Sequence, residues 1–156
     1  MEIPPEMKIQ ILRNMFISTA VGSYQGLKEI YGEKGVEFLK QAHINGLTHQ
    51  MEHQMHEMKA GKGLEGFKTY LTAMDSVLGF EHEIIENSDK EFVVKCTQCP
   101  FVRFANRMGV GPEFCRDISN SALEAELKMF FENFSCEHKS TLMGLDESCQ
   151  TVVKLE

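Results

Sequence analysis

The spacing of the apolar side chains changes near Gly79, and this change constrains the fold more than any other feature of the chain. Before it, apolar residues recur at three- and four-residue steps from about residue 5 to 20, from 35 to 58 and from 64 to 78, which is the period of amphipathic helices. After it, "FEHEIIE" and "EFVVKC" are short runs of aromatic and β-branched residues joined by the turn-forming "NSDK". The sequence therefore predicts a helical half followed by a β-hairpin.

The remaining segments complete an α+β fold. Four glycines between residues 22 and 35 leave open whether the first helix continues with a kink or a short second helix follows. "PFVRFANRMG" is helical in pattern, Pro112 is expected to open a helix to about Phe131, and "FSCEHKS" and "CQTVVKLE" form a second hairpin. We expect one domain over residues 1–156, helical in 1–79, with an antiparallel sheet of about four strands and covering helices in 80–156.

Composition and charge exclude several classes of function. The net charge of −7 and the absence of a Lys/Arg cluster argue against nucleic-acid binding. No apolar run approaches the roughly 20 residues that span a bilayer, and "MEIPPEMKIQ" lacks the pattern of a signal peptide. We therefore expect a cytoplasmic protein without a membrane partner. Five cysteines cannot all pair within one chain, which favours reduced thiols acting as metal ligands or nucleophiles.

The cysteines begin at a junction of predicted elements. Cys96 and Cys99 form a C-x-x-C pair between a strand and a helix that starts at Pro100. A helix N-terminus favours thiolate over thiol, so this position is expected to lower a cysteine pKa. If the two hairpins share a sheet, Cys149 approaches Cys96, and Cys115 closes the cluster. The alternative, that these cysteines are buried small hydrophobic residues, stays open.

Acidic and histidine side chains supply further candidates. Asp117 follows Cys115 by two positions, so it supports that cysteine only if the helix is broken there or if both line one pocket; otherwise it is a solvated charge. Alternation gives the strand residues His82 and His138 an even chance of facing the cysteines, whereas His43 is expected to pack in the core. Helical spacing also places three imidazoles on one polar face that is able to chelate a divalent ion, opposite a Met stripe: His49, His53 and His56.

From Phe92 onward, the segments that carry a resemblance are "CTQCPF", "MGVGPEFC", Asp117 in "CRD" and "TLMGLDESCQTVV". Through these segments the chain resembles the L-2-amino-thiazoline-4-carboxylic acid hydrolase family. The resemblance implies hydrolytic opening, at a cyclic C–N bond, of a small sulfur- and nitrogen-containing ring acid. The same cysteine and glycine arrangement is also similar to ligand-binding domains related to bacteriochlorophyll vinyl reductase. This chain departs from the hydrolase pattern in having Cys96 and Cys136, and Gln150 and Thr151 where an acidic-aromatic pair is usual.

The leading hypothesis is a hydrolase whose pocket holds Cys99 and Cys115, with Asp117 as an orienting group or general base. Either a thiolate attacks an amidine-like carbon, or the cysteines hold a zinc or iron ion that activates water. The alternative is a non-catalytic domain that binds a metal or small ligand through Cys96, Cys99, Cys115 and Cys149, with His49, His53 and His56 as the second choice of metal site. A redox dithiol is disfavoured because the βαβ context is missing. The expected partner is a small molecule, and a homo-oligomer is left open.

Overall fold

The computed structural model describes residues 3–156 and confirms the α+β class, with helices first and the sheet after them. Its helices are α1 Pro5–Tyr31, α2 Glu33–Met58, α3 Gly63–Leu78, α4 Pro100–Met108 and α5 Asn120–Phe130. A π-helical segment, Cys115–Ser119, leads into α5, and a short 3-10 turn covers Leu142–Gly144. The strands are β1 Glu81–Ser88, β2 Glu91–Gln98, β3 Phe134–Ser140 and β4 Cys149–Leu155.

The two predicted hairpins form one antiparallel sheet in the order β1-β2-β4-β3. β4 lies between β2 and β3 and pairs with both. The register places His82 opposite Cys96, and Cys96 opposite Cys149. Because directly opposed residues point to the same face of a sheet, these three side chains form a row across three strands. This row lies on the face that packs against the helices.

The first helix is longer than its glycines indicated. α1 runs without interruption to Tyr31 and ends at Gly32, whose φ of 59° lies in the left-handed region that favours glycine. The expected kink or separate short helix near residue 22 is therefore absent. Gly22 is tolerated inside the helix at a modest cost in propensity, and its neighbours Val21 and Tyr24 are fully buried. Tertiary packing thus outweighs the weak local preference.

The helix expected from Pro112 to about Phe131 is irregular over its first part. A hydrogen-bonded turn follows Pro112, and the Asn120 backbone N–H then donates to the carbonyl of Cys115, which is the wider i→i+5 bond of a π-helix. Regular α5 begins only at Asn120. Cys115 and Asp117 consequently do not follow ordinary α-helical spacing. From the sequence, support of Cys115 by Asp117 was conditional on a broken helix, and the π-helical segment is such a break.

Two groups of buried side chains form the core. One joins α2, α3 and α5 to the sheet and is centred on Phe67, whose ring lies 5.5 Å from that of Phe130 and 6.2 Å from that of Phe92. The other joins α1, α2, α4 and the π-helical segment and includes Tyr24 and Phe114, whose rings meet edge to face at 5.3 Å. Both groups contribute walls to the cavity described below. Within residues 3–156, no helix is long and apolar enough to cross a membrane.

Candidate functional site

Four of the five cysteines line one cavity. The cavity has a volume of about 200 Å³ and lies between the sheet and the covering helices. Its walls are mostly apolar, with Phe80, Phe101 and Phe114 among the aromatic residues that form them. The cysteines that line it are Cys96, Cys99, Cys115 and Cys149. The fifth, Cys136 on β3, lies at a separate surface pocket.

Each cavity thiol is positioned by a different element. Cys96 and Cys149 are paired across β2 and β4, and the Cys96 thiol donates to the carbonyl oxygen of Gln98 at 3.1 Å. Cys149 accepts a hydrogen bond from the backbone N–H of Leu142 at 3.2 Å, and its sulfur lies 3.8 Å from the hydroxyl oxygen of Thr141. The same Thr141 side chain acts to lower the pKa of Cys115. Thr141 therefore lies near both the start of the π-helical segment and the start of β4.

Cys99 occupies the helix-start position that the sequence indicated. It directly precedes α4 with extended backbone angles, and the nearby backbone N–H groups of Phe101 and Val102 act to lower its pKa. Burial nevertheless raises the pKa of Cys99 to about 12, because the loss of hydration outweighs those two donors. The expectation that the helix start lowers this pKa is therefore wrong. Burial also raises the pKa values of Cys96 and Cys115.

The structure gives no support to either metal arrangement. Over residues 3–156, no group of three or more His, Cys, Asp or Glu side chains is arranged to hold a metal ion. The four cavity cysteines are near one another without forming such a group. The other arrangement consists of exposed side chains on α2, on the opposite side from the buried Met51: His49, His53 and His56.

Asp117 is not among the residues that line the cavity. Its carboxylate accepts hydrogen bonds from the Tyr24 hydroxyl at 2.7 Å and from Nε of Arg116 at 2.8 Å, while Nζ of Lys28 donates to the Tyr24 oxygen at 2.9 Å. Burial acts to raise the pKa of Asp117, but these hydrogen bonds outweigh it and the pKa lies below its ordinary value. Asp117 therefore anchors the π-helical segment to α1.

Two acidic groups near the cavity were not singled out from the sequence. Asp75 on α3 lies 2.6 Å from Nδ1 of His82, and its second oxygen accepts the His82 backbone N–H at 3.1 Å. Glu126 on α5 lines the cavity and accepts a hydrogen bond from the Tyr70 hydroxyl at 3.2 Å; burial raises its pKa to about 7. A sequence signal existed for Glu126, as an acidic residue on the apolar stretch "SALEAELKMFF". None identified Asp75 as a partner of His82.

Comparisons with known proteins extend the resemblance beyond the second half of the chain. The model of a family described as L-2-amino-thiazoline-4-carboxylic acid hydrolase matches residues 13–152, which is most of the sequence. A search of curated proteins found no match. Among solved structures, the chain is similar to trafficking protein particle complex subunit 3 from Naegleria fowleri, covalently bound to palmitic acid. That likeness has a TM-score of 0.67 at 13% identity and covers 94% of this chain and 96% of the other, so it shows a shared fold.

Proposed function

The chain belongs to the L-2-amino-thiazoline-4-carboxylic acid hydrolase family, and from this premise we propose that its cysteine-lined cavity hydrolyses a small sulfur- and nitrogen-containing ring acid such as 2-aminothiazoline-4-carboxylate. The observation that carries the proposal is the meeting of four cysteines, from two strands, a helix start and a π-helical segment, in one cavity. Free cysteines that are buried as small apolar residues need not lie together, whereas four of the five cysteines line this cavity.

The size of the cavity favours a small ring compound. An apolar cavity of about 150 Å³ holds one benzene molecule, and this one measures about 200 Å³. A substituted five-membered ring acid has about nine non-hydrogen atoms, half as many again as benzene, and is therefore of suitable size.

The reaction requires a nucleophile and a supply of protons. A cysteine sulfur adds to the amidine-like ring carbon, the C=N electron pair moves to the ring nitrogen, and that nitrogen takes the proton that the thiol released. The ring C–N bond then breaks, and the nitrogen leaves as an amine with a second proton from water. The oxygen of the same water replaces the enzyme sulfur on the carbon, and the thiol regains a proton. The family motifs favour Cys99 and Cys115 as the reacting thiols, with Cys96 and Cys149 as neighbours in the same cavity.

Asp117 was expected to be either an orienting group or a general base, and we assign it the orienting role. Its bonds to Tyr24 and Arg116 hold the segment that begins with Cys115. A base acting directly on substrate has to reach the reacting atoms, and Asp117 is not part of the cavity lining. The proton acceptor is therefore sought elsewhere in the site.

The test compares serine substitutions at five cysteines. Turnover of 2-aminothiazoline-4-carboxylate by purified full-length protein is expected to fall at least about 100-fold in one or more of the cavity variants, because serine is a poor nucleophile beside a cysteine. The control variant Cys136→Ser is expected to keep its turnover, since Cys136 lies at another pocket. Retention of full turnover by all four cavity variants, or its absence in the wild type, would sink the proposal. The cavity variants are Cys96→Ser, Cys99→Ser, Cys115→Ser and Cys149→Ser.

A second candidate function is non-catalytic binding of an apolar ligand. It is favoured by the apolar walls of the cavity, which include no Lys or Arg among the described residues, and by a structural neighbour that carries palmitic acid covalently. Incubation with a series of acyl-CoA thioesters, followed by intact-mass measurement, separates the two functions. A hydroxylamine-labile acyl adduct on a cavity cysteine, without ring-acid turnover, favours binding. The homo-oligomer left open by the sequence stays a prediction, to be checked by light scattering.

A further inference from the structure

The proposed chemistry needs a proton acceptor inside the cavity. We propose that His82, oriented by Asp75, accepts the proton of the Cys96 thiol, so that Asp75, His82 and Cys96 form the reacting triad of the cavity. The inference rests on the proposed function, because it assigns the base and the nucleophile of that same site. It also moves the nucleophile from Cys99, which the family motifs favour, to the cysteine that a base is placed to reach.

The Asp75–His82 pair has the geometry of a base and its orienting group. One carboxylate oxygen of Asp75 holds Nδ1 of the ring at 2.6 Å, and the other holds the His82 backbone N–H at 3.1 Å. The Phe80 ring stacks on the imidazole at a centroid distance of 5.2 Å and an interplanar angle of 27°. Among the residues that the structure describes, none hydrogen-bonds Nε2. A proton held at Nδ1 by Asp75 leaves the Nε2 lone pair as the acceptor.

Cys96 is the thiol beside this acceptor. His82 and Cys96 are directly opposed on β1 and β2, and opposed residues have Cβ atoms about 4.5–5.5 Å apart on one face of the sheet. Both side chains line the cavity. The Cys96 thiol donates to the Gln98 carbonyl, so proton transfer requires rotation of the thiol from that oxygen towards Nε2. The rotation changes one side-chain torsion between staggered positions.

The proton-transfer step is balanced within the triad. The S–H bond of Cys96 breaks, an N–H bond forms at Nε2 of His82, and the electron pair stays on the sulfur. The resulting imidazolium lies against the Asp75 carboxylate, which offsets its charge. Other titratable side chains also line the cavity around His82, from α2, α5, the α4 start, the π-helical segment and β4: His43, Glu126, Cys99, Cys115 and Cys149.

The test measures the reactivity of each thiol in the full-length protein without any ring acid. Alkylation by iodoacetamide is followed at individual cysteines by peptide mass spectrometry from about pH 5 to pH 10. With a histidine base, the Cys96 rate is expected to rise and level off below the pH range in which a thiol without a base ionises. In His82→Gln, the Cys96 rate at pH 7.5 is expected to be at least about tenfold lower and to climb steadily to pH 10, as for a thiol without a base.

Two variants serve as matched controls. His138→Gln removes another half-buried histidine of the sheet, but both of its ring nitrogens are occupied, by Thr151 at 2.8 Å and Glu124 at 3.2 Å. Glu126→Gln removes the cavity carboxyl whose pKa of about 7 would produce a similar pH profile. Both are expected to retain the wild-type Cys96 profile. An unchanged Cys96 rate in His82→Gln, or a profile that disappears in Glu126→Gln, would overturn the inference.

A spectroscopic measurement keeps the test decisive if His82→Gln fails to fold. Long-range ¹H–¹⁵N spectra of the wild type are expected to show the His82 tautomer protonated at Nδ1 near pH 8, and the opposite tautomer contradicts the triad. The inference and the proposed function fail in different ways. A His82-dependent Cys96 without ring-acid turnover removes only the hydrolase assignment, whereas turnover with a His82-independent Cys96 removes only the triad.

Discussion

Replacing Asp117 with Asn is expected to lower stability while leaving the cavity chemistry largely intact. The half-buried bond from the Tyr24 hydroxyl to the carboxylate, at 2.7 Å, is a hydrogen bond to a charged group, worth about 1.5–3 kcal/mol. The pair with Arg116 adds at most about 1 kcal/mol, because the arginine side chain is 71% exposed. The expected loss is about 2–3 kcal/mol, or a fall in Tm of about 4–12 °C at about 2–4 °C per kcal/mol.

Thermal denaturation followed by circular dichroism measures this loss. Asp89→Asn, in the exposed turn between β1 and β2, is the matched control and is expected to change stability by less than about 0.5 kcal/mol. The low pKa of Asp117 means that its contribution is present above the unfolded value of about 3.9 and is lost as the pH falls through the lower folded value. The gap between wild type and Asp117→Asn therefore closes in acid. A 100-fold loss of turnover at unchanged Tm would instead identify Asp117 as a base and refute the reasoning.

Three further outcomes follow from the fold and the cavity. Gly66→Ala is expected to lower the free energy of unfolding, measured with urea, by at least about 2 kcal/mol, because its Cβ meets the Gly61 carbonyl. The control Gly46→Ala, at an exposed position of α2, is expected to raise it by about 0.5–1 kcal/mol, and equal effects of the two substitutions contradict this. Burial raises the pKa of Glu126 to about 7, so the stabilising contribution of its protonated form is lost as the pH rises through that value. The free energy of unfolding of the wild type is therefore expected to fall relative to that of Glu126→Gln from about pH 5 to pH 8, and parallel plots of stability against pH contradict this. Elemental analysis is expected to show the same metal content in the wild type and in a variant that lacks the three exposed α2 histidines, His49, His53 and His56. Loss of a stoichiometric metal from the variant would show that these histidines bind it.

The sequence predicted the fold wherever hydrophobic period and turn chemistry agreed. Gly79 ends α3 in a left-handed conformation, and the strands on either side of "NSDK" pair as expected. It was less informative where tertiary packing overrides local preference. The length of α1 depends on burial of Val21 and Tyr24 against α4 and the π-helical segment, and no local pattern records those contacts.

The site was partly predictable for a related reason. The approach of Cys149 to Cys96 follows from joining two hairpins into one sheet, and their direct pairing confirms it. The place of His82 was undecided because alternation alone does not say which face of a strand is inside. The pairing of His82 with Cys96 depends on an irregularity beside the turn, where Glu86 and Ser88 oppose the consecutive residues Phe92 and Glu91 and Asn87 has no opposite residue. A displacement of one residue of this kind has no signature in composition or period.

The same contrast between local and tertiary effects decides the chemistry of the thiols. The backbone N–H groups at the helix start act to lower the pKa of Cys99, yet burial raises it to about 12, so this thiol is protonated at pH 7. The proposed reaction therefore does not start from a resting Cys99 thiolate. Its nucleophile has to be generated next to a group that takes the proton and stays close as its counter-charge. Among the cavity residues, His82 is the imidazole with Nδ1 held by a carboxylate, so thiol ionisation in this cavity depends on a base, and the position of that base selects Cys96.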